Sequence, residues 1–365
     1  MSSLVSGAST APANARPAQP QVLGAEAQRL AHLGLLFRRS LGSGHVHPLL
    51  PVLREYHGVT QPLPRPVPAS PVRGQGSPDD APRAPITAEA LQRAIADLPS
   101  LPRAVHAAMA ALHDERAGAA AIADSIERDQ GLTARTLRAA NTAFYGATGR
   151  VATIRSAITV LGLSTVAALL AGVSLANLFP LGAQAGGFDF PRFWCHALTS
   201  AFIARGLAPV AGFEADVAFT AGLLHDVGEL ALASAFPVEY GQARQYALHA
   251  DLAQWEAERA VLGVDHGVAG EWLARRWHLP ATITAAISAH HAPAGEASTG
   301  AGLADLVQVA DALAHGIASA EEGVQAVPEV AVEVWVRLGI GIDDCVAVLH
   351  ESGAAATALC EVLTS

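Results

Sequence analysis

The sequence contains no lysine, so all of its fixed positive side-chain charges are arginines. This absence excludes lysine chemistry such as Schiff bases and the phosphate-binding P-loop. The 33 Asp and Glu residues outnumber the 23 basic residues, and the formal net charge is −10. An acidic chain without a basic stripe is poorly suited to nucleic acid, because neutralised phosphates supply most of that affinity. We therefore expect no nucleic-acid partner.

Cysteine and long hydrophobic runs are also scarce. Cys195, Cys345 and Cys360 are odd in number and lack CxxC spacing, which indicates neither a disulfide framework nor a zinc ribbon. The most apolar run, residues 166–179, is too short to span a bilayer. The N-terminus lacks a charged flank followed by an apolar core, so no signal peptide is indicated. We expect a cytoplasmic protein without a membrane partner.

The apolar composition predicts an all-α fold. Aromatic residues make up 5% of the chain, whereas 51% of its residues are hydrophobic, mostly Ala, Leu and Val. Small aliphatic side chains at this density favour close-packed helices over a β-sandwich. Apolar residues recur with helical periodicity from Ile86 onward, with Thr87 at an N-cap position and one continuous helix predicted over 214–234. No stretch between 86 and 320 alternates with period two for long enough to predict a sheet.

The two ends of the chain differ from the middle. Thirteen of the 22 prolines lie in the first 85 residues, and we expect residues 1–85 to be an Ala/Pro-rich, partly disordered leader. Within this leader, residues 22–57 carry helical periodicity and either dock on the main domain or recruit another protein. Residues 321–365 are expected to form a C-terminal helical extension.

Histidine and aspartate recur in a definite order in the second half of the chain. Seven residues form this set: His196, His225, Asp226, His266, His290, His291 and Asp311. Imidazoles and carboxylates that project from different helices toward one centre can hold one or two divalent ions. Asp226 could bridge two such ions, and in an enzyme it would be the catalytic residue, acting with a metal-bound water.

Each member of the set also has an ordinary interpretation. A single helical histidine, one of 15 in the chain, is usually a surface or core residue with no metal role. The His225–Asp226 pair alone could be an ion pair or a helix-end contact. The complete ordered set is harder to attribute to chance. Four other histidines are interpreted as solvated helix surface: His249, His278, His315 and His350.

Taken together, these motifs resemble the HDOD family, a relative of the HD metal-dependent phosphohydrolases, whose ligand pattern is H…HD…D. The segments that carry the resemblance occur in the family's order: LPSLP (98–102), SIERDQGLTARTLRAANTAFYG (125–146), TIRSAITVLGL (153–163), FWCHAL (193–198), AFTAGLLHDVGEL (218–230), VDHGVAGEWLARRWHLP (264–280) and AISAHHAP (286–293). The resemblance implies an HDOD domain over 86–320. Its two packed helical lobes would be an N-terminal lobe (86–180) and an HD-like lobe (190–320).

The resemblance also implies a ligand set and a class of function. His196, His225, Asp226 and Asp311 would bind one divalent transition metal, which could be Fe, Mn, Zn or Ni. His266 and either His290 or His291 would be available for a second ion. The family implies a bacterial signal-transduction output or regulatory module that contacts a protein partner.

One departure from catalytic relatives bears on activity. HDVGEL places Glu229 where those relatives commonly carry lysine, and an acid there would repel a phosphodiester. We therefore expect a non-enzymatic or weakly active module. Two alternatives stay open: a metal-dependent phosphohydrolase or phosphodiesterase, with Arg275 or Arg276 supplying the missing positive charge, and a nucleotide-sensing module that binds without hydrolysis.

In the first lobe, Asn141 lies in an otherwise apolar predicted helix. We interpret it as a structural residue that caps the helix or bonds a neighbouring backbone group. A contact with a partner protein is the alternative.

Overall fold

Helices are the only regular secondary structure in the part of the chain that the computed structural model describes. That part comprises residues 29, 32–33, 36–39, 47–59, 85–98, 100–101, 105, 115–142, 151–179, 187–292, 302–317 and 327–364. In chain order the helices are α1 (Leu49–Tyr56), α2 (Ala88–Asp97), α3 (Glu115–Glu127), α4 (Gln130–Ala140), α5 (Ile154–Leu161), α6 (Leu163–Leu178), α7 (Phe190–Ala211), α8 (Ala215–Leu224), α9 (Val227–Ala235), α10 (Pro237–Ala250), α11 (Gln254–Leu262), α12 (His266–Arg276), α13 (Ala281–Ala289), α14 (Leu303–Ile317), α15 (Val332–Leu338) and α16 (Ile342–Thr364). The predicted all-α class is confirmed.

Side-chain caps fix where several helices begin. Thr87 accepts a hydrogen bond from the amide of Ala90 at 3.2 Å, which confirms its predicted N-cap position. Asp265 accepts one from the amide of Val268 at 2.9 Å. Each cap satisfies a backbone donor that has no partner within its helix. The Asp265 cap makes His266 the first residue of α12 and so sets where that imidazole leaves the helix.

The helix predicted over 214–234 is wrong in one respect, because a turn at His225 and Asp226 divides it into α8 and α9. The ring Nδ1 of His225 bonds the carbonyl oxygen of Gly222 at 2.7 Å. A side chain that takes a backbone carbonyl competes with continuation of the helix. Periodicity could not show this break, since nearly all residues on both sides are buried and leave no polar face to follow.

Two clusters of buried apolar residues form the core. The larger one joins α2–α6 of the first lobe to α7–α13, and the smaller one joins α1 and α14–α16 to the second half of α7. Trp194 on α7 packs directly on Gly172 of α6, where a Cβ would overlap the indole ring. Helix α7 therefore belongs to both clusters and connects the two lobes.

Asn141 has the structural role that the sequence predicts. Its side-chain nitrogen donates to the carbonyl oxygens of Leu137 at 2.7 Å and Val151 at 2.9 Å. Its side-chain oxygen accepts from the amide of Val151 at 2.8 Å. Asn141 therefore closes the C-terminus of α4 and ties it to Val151, which lies just before α5.

The described residues of the leader dock on the main body of the protein. Leu33, Leu36 and Leu53 are fully buried in the smaller cluster. The carbonyl oxygen of Leu36 accepts a hydrogen bond from the amide of Val327 at 2.9 Å, and Arg38 forms an ion pair with Asp251 at 2.6 Å. Of the two alternatives for residues 22–57, docking accounts for these contacts.

We expect Leu53→Ala to lower the free energy of unfolding by about 2–5 kcal/mol, the usual cost of truncating a fully buried leucine. Leu53 packs against Gly316 of α14, where a Cβ would overlap its side chain, so the truncation leaves a cavity between α1 and α14. Chemical denaturation measures the change. Val336→Ala is the matched control, because Val336 is 75% exposed and its loss should change stability by less than about 0.5 kcal/mol. Equal effects of the two substitutions would contradict docking of α1.

Cys195 and Cys360 form a disulfide, with their Cα atoms 5.4 Å apart and a sequence separation of 165 positions. Cys345 is a buried free cysteine. The expectation that no disulfide is present is therefore wrong for this pair. An odd cysteine count could not reveal it, because the two residues meet only when α16 packs on α7.

Among the described helices, only α16 is long and apolar enough to cross a membrane. Its apolar stretch is Ile342–Val362, and 44% of this stretch is buried in the fold. Residues 154–161 and 163–175 reach the length and apolar character of a membrane-spanning helix only when taken together, and the two helices are bent by 114° relative to each other. Leu349 and Leu359 on α16 are fully buried. Burial of this kind is typical of a core helix, and the absence of a membrane partner stays a prediction.

Candidate metal centre

All seven predicted ligands converge where α7, α12, α13, α14 and the turn between α8 and α9 meet. His196 lies on α7, His225 and Asp226 form the turn between α8 and α9, and Asp311 lies on α14. His266 begins α12, and His290 follows the last residue of α13, with His291 next to it. The structure thus brings together residues that are up to 115 positions apart in sequence.

Asp226 lies between two groups of imidazoles and presents one carboxylate oxygen to each. Its Oδ1 is 3.3 Å from the Nε2 atom of His266 and 3.3 Å from that of His290. Its Oδ2 is 3.0 Å from the Nε2 atom of His225 and 3.7 Å from that of His196. Burial opposes ionisation, but the neighbouring imidazoles, His225 foremost, hold the pKa of Asp226 well below its usual range. This carboxylate is placed to contact two ions at once.

The donor atoms fall into two groups, each with its members within 4.8 Å of one another. The first group is His196, His225 and Asp311, and the second is Asp226, His266, His290 and His291. In the first group, Asp311 Oδ1 is 2.8 Å from His196 Nε2 and 3.6 Å from His225 Nε2. Imidazole and carboxylate donors together suit Zn, Fe, Mn and Ni.

Three buried imidazoles are held with one nitrogen hydrogen-bonded, while the other lies near Asp226 and makes no hydrogen bond. The Nδ1 atoms of His225 and His290 bond the carbonyl oxygens of Gly222 and Ile287, at 2.7 and 2.8 Å. The Nδ1 atom of His266 bonds the Glu258 carboxylate at 2.7 Å. Their Nε2 atoms, together with Asp311 Oδ2, are buried and make no hydrogen bond, although His225 Nε2 is only 3.0 Å from Asp226. A proton on Nδ1 leaves the Nε2 lone pair free, which is the form that binds metals.

The buried atoms that make no hydrogen bond indicate that these residues fit a metal ion. Buried polar atoms without partners are costly, and most are explained by a water or an ion. Here they converge on a carboxylate from several helices, and the bonds at Nδ1 orient the rings. A divalent cation would satisfy them together.

Glu258 is a member of the site that the sequence analysis missed. It is fully buried on α11, and its Oε2 accepts from both the ring Nδ1 and the backbone amide of His266. Burial alone would lower the pKa of His266, but the Glu258 carboxylate outweighs that effect and raises the pKa to about 10. No motif marks Glu258, which precedes His266 by eight positions and lies on a different helix.

Glu229 lies beside the second group, close to Glu258 and His266. The Tyr240 hydroxyl donates a hydrogen bond to it at 3.1 Å. Burial, reinforced by the nearby Asp226 carboxylate, raises the pKa of Glu229 to about 7. The acid that the sequence places after the HisAsp pair is therefore next to the centre.

The interpretation of His315 as solvated surface is wrong. Its Nδ1 is 3.0 Å from Asp311 Oδ1, its ring centroid is 4.4 Å from that of His196, and its side chain is only 25% exposed. The i, i+4 spacing from Asp311 on one helix was the signal that could have identified it. The other three histidines interpreted in the same way are exposed: His249, His278 and His350.

Arg275 and Arg276 lie away from His266, toward the end of α12. They lie nine and ten residues beyond His266 on α12, about 14 Å along the helix axis. Arg275 pairs with Glu271 at 2.6 Å, and Arg276 donates to the carbonyl oxygen of Leu98 in the first lobe at 2.8 Å. Their side chains bond the surface of α12 and the first lobe, and a substrate role for them stays a prediction.

Gly228 explains why HDVGEL carries glycine at its fourth position. A Cβ there would overlap the carbonyl oxygen of His266 and lie 2.6 Å from the amide nitrogen of Gly270. Helices α9 and α12 therefore cross with their backbones in contact. This close approach brings His266 within reach of Asp226.

The HDOD domain family model matches residues 98–293, more than half of the chain. The solved structure of an HDOD domain protein with unknown function from Geobacter sulfurreducens is 28% identical, with a TM-score of 0.62, and the match covers 74% of this chain and 97% of that one. A curated relative, an uncharacterized protein of Treponema pallidum, is 27% identical over 199 residues. That match covers 54% of this chain, which spans only 38% of the relative's length.

Two further solved structures share the fold at lower identity. A proposed signal transduction protein from Marinobacter aquaeolei is 20% identical, with a TM-score of 0.61 and coverage of 92% of this chain and 69% of that one. A proposed phosphohydrolase from Shewanella amazonensis is 24% identical, with a TM-score of 0.57 and coverage of 75% and 98%. Motif order, helical architecture and the family match agree. The chain belongs to the HDOD domain family.

Proposed function

We propose that this protein is a signal-transduction output module that holds divalent transition metal in its His–Asp centre and acts through protein contacts rather than hydrolysis. One observation carries the proposal: a complete set of converging metal donors has the partly buried acid Glu229 beside it. The donor set favours metal retention. The acid disfavours a phosphate substrate.

Two ion positions account for the donors. His196, His225 and Asp311 would hold one ion together with Asp226 Oδ2. His266 and His290, with His291 beside them, would hold a second together with Asp226 Oδ1. When bound, such ions supply Lewis acidity and lower the pKa of a coordinated water. Glu258 orients His266 and increases its basicity, as outer carboxylates commonly do in metal sites.

The charges around the centre argue against phosphoester hydrolysis. Within the described residues, the ion pairs of Asp226 and Asp311 are all with histidines, and none is with arginine. An ionised Glu229 about 5 Å from a phosphate would repel it by about 3 kcal/mol at an effective dielectric constant of about 20. A protonated Glu229 would still lack the attraction of a lysine. An ionised Glu229 therefore weakens substrate binding, and a protonated Glu229 does not strengthen it.

A metal-dependent phosphohydrolase or phosphodiesterase is the second candidate, because each oxygen of Asp226 faces its own group of donors. That arrangement is the one a two-ion site requires. The Shewanella amazonensis neighbour supports this candidate by its proposed activity, and the Marinobacter aquaeolei neighbour supports the signalling role in the same way.

A panel of phosphate mono- and diesters, including cyclic dinucleotides and guanosine polyphosphates, separates the candidates. We expect metal-loaded wild type to release no more phosphate or nucleotide product than Asp226→Asn does, because, apart from the bound metal ions, a substrate phosphate meets acids and no arginine. Asp216→Asn is the matched control, since Asp216 lies on α8 and bonds Ser164 rather than the centre. Turnover that survives Asp216→Asn and disappears in Asp226→Asn would contradict the proposal and establish the hydrolase. Calorimetry on the same nucleotides tests the third possibility, binding without hydrolysis.

A further inference from the structure

We propose that Cys195 and Cys360 are a reversible oxidation site whose disulfide fastens the C-terminal helix α16 to α7. This inference does not rest on the proposed function. The pair is joined in the structure with Cα atoms 5.4 Å apart, inside the range of about 4.4–6.8 Å that disulfides require.

The three cysteines differ in accessibility, so that an oxidant can reach two of them and not the third. Cys195 and Cys360 are both half-buried, so a small oxidant or a dithiol can reach them. Cys345 is fully buried, and burial raises the pKa of its thiol to about 12. Since the thiolate is the reactive form, Cys345 is inert and does not compete for either partner.

The packing of α16 shows what the bond would hold in place. Val348 packs against Gly206 of α7, where a Cβ would come within 2.6 Å of its Cγ1 atom. Leu359 and Val362, on either side of Cys360, enter the larger apolar cluster with the first lobe. The last turns of α16 therefore connect α7 to the first lobe, and these turns carry the disulfide.

The chemistry balances with a peroxide as oxidant. One thiol reduces the peroxide, becomes a sulfenic acid and releases water. The second thiol then displaces the hydroxyl group as a second water and forms the S–S bond. In total, two thiols lose two hydrogens and two electrons to one peroxide. A dithiol reverses the reaction by exchange through a mixed disulfide.

The test uses the full chain and a Cys345→Ala variant, each reduced with dithiothreitol, freed of reductant and treated with hydrogen peroxide. We expect both proteins to lose two thiols and two hydrogens in mass, to yield a linked Cys195–Cys360 peptide, and to recover both thiols on re-reduction. Hydrogen exchange of amides in residues 352–364 should be several-fold slower in the oxidised protein, because the bond suppresses local opening of α16. Cys360→Ser treated in the same way should keep the fast exchange.

Two results would overturn the inference. One is failure of peroxide to link Cys195 to Cys360 within one molecule, with thiols retained or only intermolecular bonds formed. The other is a link that forms while exchange of the C-terminal amides stays unchanged. Cys195→Ser is a second control, because it removes the disulfide without changing α16. Fast exchange in this variant as well would show that the effect of Cys360→Ser does not come from a disturbed helix.

Discussion

Asp226→Asn is expected to abolish binding of both metal ions, whereas His196→Ala and His290→Ala should each abolish one. Asp226 offers one oxygen to each group of imidazoles, and the amide removes both its charge and one of its oxygens. Loss of an outer ligand already weakens metal affinity about 10–100-fold, and loss of a shared inner ligand should exceed that. His196 belongs to the first donor group alone and His290 to the second alone.

Calorimetric titration of chelator-treated protein with Zn²⁺ or Mn²⁺ counts the binding events in each variant. The expected pattern is two for wild type, one each for His196→Ala and His290→Ala, and none for Asp226→Asn. Asp216→Asn, with the same chemical change on α8, should retain both. Two undiminished events in Asp226→Asn would show that the carboxylate does not join the two groups.

Gly228→Ala is expected to lower the free energy of unfolding by more than about 3 kcal/mol, or to prevent folding. The added methyl group would meet the backbone of His266 and Gly270, and backbone atoms cannot move aside as the end of a side chain can. Overpacking against yielding side chains typically costs about 1–3 kcal/mol, so a clash with backbone should exceed that range. Because α12 starts at His266, any relief of the clash would also carry this imidazole away from Asp226.

Chemical denaturation of Gly228→Ala and two comparison variants measures the effect. At Gly270 a Cβ meets the Cγ2 atom of Ile287 at 2.6 Å, a side chain that can shift, so Gly270→Ala should cost less and remain measurable. At Gly302 the nearest atom is 3.8 Å away, and Gly302→Ala should change stability little. Three equal effects would contradict the close crossing of α9 and α12.

Much of the fold was predictable because helices with one buried face leave a periodic trace in the sequence. Thr87 and Asn141 were also predictable, since caps depend on local chemistry. The division between α8 and α9 was not, because both helices are buried on nearly all sides and the break arises from a bond between His225 and a backbone carbonyl. The hydrophobic pattern of the sequence does not show that the His225 side chain takes a carbonyl oxygen that would otherwise continue the helix.

The candidate site was predictable to the extent that its residues lie in an ordered motif. The seven ligands were named from sequence, and the structure brings them together. Glu258 was missed because its role depends on α11 packing beside α12. Arg275 and Arg276 lie about 14 Å along α12 from His266, a separation that sequence position alone does not convey. The Cys195–Cys360 pair was missed for a similar reason, since only tertiary packing joins residues so far apart.

The central claim is that the converging imidazoles and carboxylates hold metal. Elemental analysis of purified wild type beside a His225→Ala/Asp226→Ala double variant tests it most directly. The account predicts close to two equivalents of a transition metal in wild type and almost none in the double variant. Metal-free wild type that is as stable as the double variant would contradict it, because the orphaned Nε2 atoms would then have no ion to explain them.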